Sequence, residues 1–332
     1  MSEQPPGTVT RAGRRRGVRR ALALAWLIAA AALPAGPSRV DAPGSTTLRA
    51  LQMNLCNSGR AGCYTGRSVT EAVEVIRAGT PGLVTLNEVC QDDMAVLERA
   101  FADVHGGGSV VSAFTVAGDR PSGDATRCRN GRPYGIGLLI RLPGPHRVHT
   151  VHSGMHPTQD VADPEQRAWL CVHVTDLVHA CTTHLAATSG TVALAQCGHL
   201  LGTVVPTIRR SAGYAPTMVS GDLNLRHGGS PDVRSCLPPG YRRIDDGAVQ
   251  QLMATDDVTI GARRSVNMHG ATDHPGLLVT LTVGPSRPDR PATAQQRRPQ
   301  ALRPDTVGSA AGRRNSGHVA STRQYAPDVG GA

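Results

Sequence analysis

The chain has 332 residues, with 35 Lys plus Arg against 25 Asp plus Glu, a formal net charge of +10 and only 3% aromatic residues. The positive excess lies at the two ends: residues 1–42 hold 7 Arg against 2 acids and residues 284–332 hold 8 against 3, whereas residues 43–283 hold 20 of each. The net charge therefore says little about the partner of the central region, and the length fits one large domain with two added segments.

The first segment, residues 1–42, has an arginine-rich start, an apolar run over 21–33 and then Pro-Ala-Gly-Pro. This order is typical of a secretory signal peptide and leader, and it predicts a secreted, extracellular protein. The apolar run is shorter than the roughly 20 residues that a membrane-spanning helix needs. An uncleaved signal that acts as an N-terminal membrane anchor is the alternative.

The last segment, residues 284–332, is rich in Pro and Arg and has almost no bulky apolar residues. Such a composition cannot bury enough surface to offset the entropy of ordering, so we predict a disordered tail.

Eight cysteines all lie in the central region, at Cys56, Cys63, Cys90, Cys128, Cys171, Cys181, Cys197 and Cys236. An even number behind a signal peptide predicts disulfides. Cys56 and Cys63 would close a short loop, and Cys171 and Cys181 would face each other across a hairpin of two alternating apolar runs. No Cys-x-x-Cys spacing occurs, so a zinc cluster is not expected.

Short runs rich in Val, Ile and Leu predict strands at 48–55, 83–86, 110–116, 135–140, 146–151, 168–174, 178–183, 217–219, 258–260 and 277–283. Apolar residues at helical spacing predict helices at 68–77, where Ser68 would be the N-cap, and at 91–102 and 191–205. Many strands and few helices indicate a two-layer β core covered by helices.

Polar residues stand where the predicted strands end or begin, which is where α/β scaffolds place their active sites. In chain order they are Asn54, Glu88, His184, Asp222, Asn224, Asp256, Asp273 and His274.

The ordered motifs Thr-His-Leu, Gly-Asp-Leu-Asn and Thr-Asp-His-Pro, preceded by Asn54 and Glu88, resemble the endonuclease/exonuclease/phosphatase superfamily. The sequence Tyr-Gly-Ile-Gly-Leu-Leu-Ile-Arg at 134–141 is similar to the central strand of that family. The resemblance covers residues 47–283. It implies an α/β (α+β) fold, a four-layer β-sandwich with flanking helices, and a catalytic domain over 43–283.

The resemblance also implies a cofactor, Mg²⁺ or Mn²⁺. Glu88 is the hard oxygen ligand expected to hold it, with Asn54 and Asp273 as direct or water-mediated partners.

Phosphodiester cleavage must activate water and neutralise charge on the phosphate oxygens. By resemblance, His274 is the general base or an electrostatic partner of the phosphate, and Asp256 is the acid that orients it. Asp222 positions or deprotonates the water, Asn224 binds the scissile phosphate, and His184 is an acid or phosphate ligand. Which histidine is the base stays open.

The expected function is a secreted metal-dependent phosphodiesterase whose substrate is nucleic acid, with Arg127, Arg129 and Arg132 as a local phosphate-binding loop. The alternatives are a head-group hydrolase of the sphingomyelinase or phospholipase C type, a hydrolase of small phosphodiesters, and a catalytically silent binding module. A lipid substrate is less favoured because the sequence has no aromatic cluster for membrane contact. The sequence identifies no protein partner.

A separate group of histidines lies at His146, His149, His152 and His156. In a helix this spacing would form a metal-binding face. The neighbouring Pro-Gly-Pro and Val residues favour strand and loop instead, where the side chains alternate faces, so a metal site is not expected there.

Overall fold

The computed structural model describes residues 45–142 and 148–284. The predicted signal peptide, the predicted tail and His146 lie outside these residues. Fourteen strands are described: β1 Thr46–Asn54, β2 Leu83–Cys90, β3 Val110–Val116, β4 Gly118–Asp119, β5 Tyr134–Arg141, β6 His149–Met155, β7 Glu165–Gln166, β8 Ala168–Val174, β9 Val178–His184, β10 Thr217–Asp222, β11 Tyr241–Asp245, β12 Gln250–Thr255, β13 Val258–Val266 and β14 Gly276–Val283. The helices are α1 Ser68–Gly79, α2 Met94–Asp103, α3 Gly190–His199 and α4 Val205–Ala212.

Twelve of the strands form two six-stranded sheets. The first has the order β13-β14-β1-β2-β5-β3 and the second β11-β12-β10-β9-β8-β6, while β4 and β7 form a small separate pair. The facing sides of the two sheets bury aliphatic residues such as Leu138, Val172 and Val279. Because this apolar layer is removed from water on both sides, it is the main core of the domain.

Helices cover both outer faces of the sandwich. Helices α1 and α2 pack on the first sheet, where Ile76 and Phe101 are fully buried. Helices α3 and α4, joined by the π-helical turn Leu200–Val204, pack on the second sheet through residues that include Cys197. The segment Gly190–Ala212 is long and apolar enough to cross a membrane by composition, but its packing here is that of a core helix. The predicted four-layer α/β arrangement is confirmed.

Two parallel strand pairs decide where polar side chains can gather. β1 pairs parallel with β2, with Asn54 opposite Asn87, and β9 pairs parallel with β10, with His184 opposite Asp222. All four strands therefore end at one edge of the sandwich, and the residues at their ends converge there.

All eight cysteines are paired. The predicted pairs Cys56–Cys63 and Cys171–Cys181 are confirmed, and the second joins directly opposed residues of β8 and β9. The other two disulfides are Cys90–Cys128, from the end of β2, and Cys197–Cys236, from α3. A chain with few aromatic residues thus gains covalent constraints on its unfolded state.

Three sequence predictions needed correction. Strands β11 and β12 were not predicted, because two arginines in β11 and two glutamines in β12 break the apolar pattern. Ser68 is not the N-cap of α1: the cap is Arg67, and the Ser68 hydroxyl instead donates to Asn57 Oδ1 at 3.1 Å. The strand predicted at 146–151 is found at His149–Met155.

Candidate active site

A cleft of about 880 Å³ lies at the edge where β1, β2, β9 and β10 end. Seven of the eight predicted site residues line it: Asn54, Glu88, His184, Asp222, Asn224, Asp273 and His274. Residues up to 220 positions apart in the chain thus meet in one cleft, as expected when parallel strands end together.

The backbone is unusual at two of these residues. Glu88 has φ 56° and Asn224 has φ 49°, in the left-handed region that non-glycine residues rarely adopt. At Glu88 the pairing of β2 with β5 is interrupted between Leu86 and Val89, so that a bulge precedes the end of the strand. Such strained positions persist where the surrounding structure holds them, and they are concentrated at functional sites.

Asn54 joins two carboxylates. Its Nδ2 donates to Glu88 Oε1 at 2.8 Å and to Asp222 Oδ2 at 3.1 Å, while its Oδ1 accepts from the Cys56 backbone N–H at 3.0 Å. The backbone N–H can only donate, so the orientation of the Asn54 amide is determined. In this arrangement Asn54 spaces and orients the carboxylates.

Burial raises the pKa of the Glu88 carboxyl, and the nearby Asp222 and Asp273 raise it further, against the lowering effect of the Asn54 hydrogen bond. Acidic side chains outnumber arginines in the lining, with Glu88, Asp119, Asp124, Asp163, Glu165, Asp222 and Asp273 against Arg60, Arg127 and Arg167. Clustered carboxylate oxygens that repel one another are the donor set that Mg²⁺ or Mn²⁺ prefers, so the residues present fit a hard divalent cation.

His184 is buried and contacts an arginine. Arg167 Nη1 lies 2.7 Å from His184 Nδ1. A guanidinium only donates, so Nδ1 is the acceptor and Nε2 carries the proton, at 3.9 Å from Glu88 Oε1. Burial, Arg167 and His274 hold the pKa of His184 well below its usual value. His184 is therefore a neutral hydrogen-bond donor that faces the cleft.

Arg167 belongs to a group of buried charged side chains that was not predicted from the sequence. Its guanidinium contacts Asp163 Oδ2 at 2.7 Å and Glu165 Oε1 at 3.1 Å. Burial raises the pKa of Glu165 to about 7, against the lowering effect of Arg167, and burial also raises the pKa of Tyr134. The signal in the sequence was an arginine directly before an apolar strand with acids two and four residues earlier.

His274 is 27% exposed and faces two carboxylates. Its Nε2 lies 3.6 Å from Asp222 Oδ2 and 3.8 Å from Asp273 Oδ2. Asn224 is held next to them: its backbone N–H donates to Asp222 Oδ1 at 3.1 Å and its Nδ2 donates to Leu185 O at 2.9 Å. A histidine, a carboxylate and an amide thus lie together in the cleft.

Asp256 is not brought to the cleft. It lies in the turn between β12 and β13, and its backbone N–H donates to Gly240 O. Because β12 runs antiparallel to β10, with Asp222 opposite Gln250, residue 256 lies at the other end of the sheet. Gln250 occupies the site end of that strand.

Of the three arginines expected to bind phosphate, only Arg127 lines the cleft. It is joined there by Arg60, whose Nε donates to Arg127 O at 3.0 Å. The disulfides Cys56–Cys63 and Cys90–Cys128 tie down the two loops that carry this pair.

Three of the four histidines in the group at 146–156 lie among the described residues. His149 and His152 lie in β6, while His156 is buried, with Nε2 at 3.0 Å from Thr183 Oγ1 and Nδ1 at 3.2 Å from His199 Nδ1.

Comparison with solved structures agrees with this architecture. The chain is similar to an endonuclease/exonuclease/phosphatase from Beutenbergia cavernae DSM 12333, with TM-score 0.55 and 19% identity over 72% of each chain. It is similar to a family protein from Bacteroides thetaiotaomicron, with TM-score 0.52 and 10% identity over 72% of this chain and 98% of that one. It is also similar to ANGEL2, a 2',3'-cyclic phosphatase, with TM-score 0.52 and 12% identity over 73% and 96%.

No family model and no curated protein matches the sequence. The structural likeness shows that the chain has the endonuclease/exonuclease/phosphatase fold. Its activity must be argued from the cleft.

Proposed function

We propose that this protein is a secreted, metal-dependent phosphodiesterase and that nucleic acid is its substrate. The observation that carries the proposal is the meeting of two histidines, two amides and several carboxylates in one cleft, although they come from distant parts of the chain. The four disulfides support an oxidising environment outside the cell.

Each side chain has a role that its contacts support. Glu88 and Asp273 would hold the cation, and Asn54 keeps Glu88 and Asp222 apart and oriented. A divalent cation, when bound, neutralises charge that develops on the phosphate. Asp222 and His274, 3.6 Å apart, receive the proton of the attacking water.

The scissile phosphate is held by hydrogen-bond donors. His184 donates through Nε2–H, because Arg167 occupies its other nitrogen, and Asn224 donates through the second N–H of its amide, since the first is bonded to Leu185 O. Water adds to phosphorus, the bond to the leaving oxygen breaks, and that oxygen takes up a proton. Arg60 and Arg127 at the rim attract a neighbouring phosphate of a polymeric substrate.

The test is nicking of supercoiled plasmid by the full chain with Mg²⁺, with Mn²⁺ and with a chelator. We expect nicking that needs the cation and that His274→Ala abolishes. His227→Ala is the matched control, since His227 is 52% exposed and lies outside the cleft. A folded, metal-loaded protein that hydrolyses no phosphate ester would refute the enzymatic assignment.

A second substrate class, small phosphodiesters, is favoured by the excess of carboxylates over arginines in the cleft, which opposes a polyanion. Bis(p-nitrophenyl) phosphate and p-nitrophenylphosphorylcholine are assayed in parallel with the plasmid. If the protein hydrolyses either compound but does not nick the plasmid, the proposed substrate becomes a small phosphodiester or a phospholipid head group. The proposed catalytic residues stay the same.

A further inference from the structure

A chain of buried side-chain hydrogen bonds runs through the core and ends on Asp222. Thr85 Oγ1 donates to Gln52 Oε1 at 2.5 Å, Gln52 Nε2 donates to Gln250 Oε1 at 3.0 Å, and Gln250 Nε2 donates to Asp222 Oδ2 at 2.8 Å. All four residues are at most 1% exposed. We call Thr85, Gln52 and Gln250 the amide relay.

Backbone groups determine the direction of this relay. The Asp222 N–H donates to Asn87 Oδ1 at 2.7 Å, and Asn87 Nδ2 donates to Thr183 O at 3.1 Å, so the Asn87 amide has one possible orientation. Gln52 contacts the same Asn87 oxygen at 2.6 Å and must present its nitrogen there. That nitrogen also faces Gln250, so Gln250 must present its oxygen to Gln52 and its nitrogen to Asp222.

The relay completes the support of the Asp222 carboxylate. Oδ2 accepts from Gln250 at 2.8 Å and from Asn54 at 3.1 Å, and Oδ1 accepts from the Asn224 backbone at 3.1 Å. A carboxylate that is 1% exposed has lost its contacts with water, and these three donors replace them. The same contacts hold Oδ2 at 3.6 Å from His274 Nε2.

We propose that Gln250 is a positioning residue for the reaction, whose amide, oriented by the relay, holds the Asp222 carboxylate against His274. This inference rests on the proposed function and adds to it a residue that lies behind the cleft, not in its lining. The position requires an amide. A carboxylate at residue 250 would repel Asp222 across 2.8 Å and would lose the donor.

The test compares Gln250→Met and Gln250→Glu with wild type, with Ser220→Ala as the control. Ser220 is equally buried on β10, but it bonds Gln251 O outside the relay. We expect Gln250→Met to lower kcat roughly 10- to 100-fold with KM within about threefold, as is typical when a partner that orients a catalytic group is removed. Gln250→Glu should lower kcat further, and Ser220→Ala should leave it unchanged.

Gln52→Leu interrupts the relay one step earlier and should also lower kcat. Added to Gln250→Met it should lower kcat little further, because both substitutions act through Asp222. Full kcat in a stably folded Gln250→Met protein, or a loss confined to KM, would overturn the inference while the proposed function stands. The inference would also be overturned if the Gln250→Glu protein had a kcat equal to or higher than that of wild type.

Crystal structures of wild type and Gln250→Met separate the two proposals. If the wild type hydrolyses no phosphate ester, the proposed function fails, but the position of Asp222 still tests the relay. We expect Asp222 Oδ2 to leave its place beside His274 in Gln250→Met. An unmoved carboxylate in that variant would refute the positioning role.

Discussion

Acidification should destabilise the fold through His156, a histidine outside the cleft. Its Nε2 lies 3.0 Å from Thr183 Oγ1, which itself donates to Ala168 O at 2.8 Å. The Thr183 oxygen therefore accepts from His156, so Nε2 of the imidazole carries a proton. Burial, with a smaller contribution from His199, lowers the pKa of His156 from 6.5 to about 3.

The direction of this pH effect follows from the linkage between proton binding and folding. A histidine whose pKa is lowered by folding binds its proton more readily in the unfolded chain. Its contribution to stability is complete above pH 6.5 and is lost as the pH falls toward about 3. At about 1.4 kcal/mol per pH unit, lowering the pH from 7.5 to 4.5 should cost about 3 kcal/mol of the free energy of unfolding through this residue alone, because the loss begins at the unfolded pKa of 6.5.

The assay is urea denaturation at pH 7.5, 6.0 and 4.5 for wild type and His156→Gln. Glutamine keeps a neutral donor at this position at every pH. The difference in unfolding free energy between the two proteins should change by about 3 kcal/mol in favour of the variant between pH 7.5 and 4.5. If both proteins lose the same stability over that range, the imidazole is not held neutral and the reasoning is wrong.

Three further outcomes are expected. Glu88→Gln should lower metal-dependent hydrolysis at least about 100-fold. Thermal stability should not fall, because a neutral amide takes the place of a buried carboxylate whose pKa is already raised by burial. Retained activity would show that Glu88 is not part of the metal site. Asp256→Asn should leave kcat/KM within about twofold of wild type, because the residue lies at the far end of β12, and a large loss would restore its predicted role. Phe101→Ala should lower the free energy of unfolding by about 3–5 kcal/mol in urea denaturation, because its ring is completely buried between α2 and the first sheet; a loss under about 1 kcal/mol would contradict that packing.

The polar residues at strand ends illustrate how far the sequence could predict the candidate site. Motifs such as Gly-Asp-Leu-Asn and Thr-Asp-His-Pro are local, and their order alone was enough to predict that Glu88, Asp222 and His274 share one site. Their common position follows from the parallel strand pairs, whose ends must coincide.

Asp256 shows the limit of that approach. The acid stands near the expected place in the sequence, but β12 pairs antiparallel with β10, so the chain has crossed to the other end of the sheet when it reaches residue 256. Only the strand register identifies Gln250 as the neighbour of Asp222, and register is a long-range pairing that local pattern does not specify. Arg167 was missed for the same reason, since its contact with His184 joins separate strands.

The sequence by itself therefore determined the four-layer class, the hairpin disulfide and seven of the polar residues that line the cleft. These depend on apolar periodicity, on nearby cysteines and on motifs of a few residues, all of which are local. The tertiary structure alone decided the orientation of Asn54, the tautomer of His184 and the partner of Asp222. Each of these depends on which backbone or side-chain donor faces a given atom, and in a buried site that is determined by packing between strands distant in sequence.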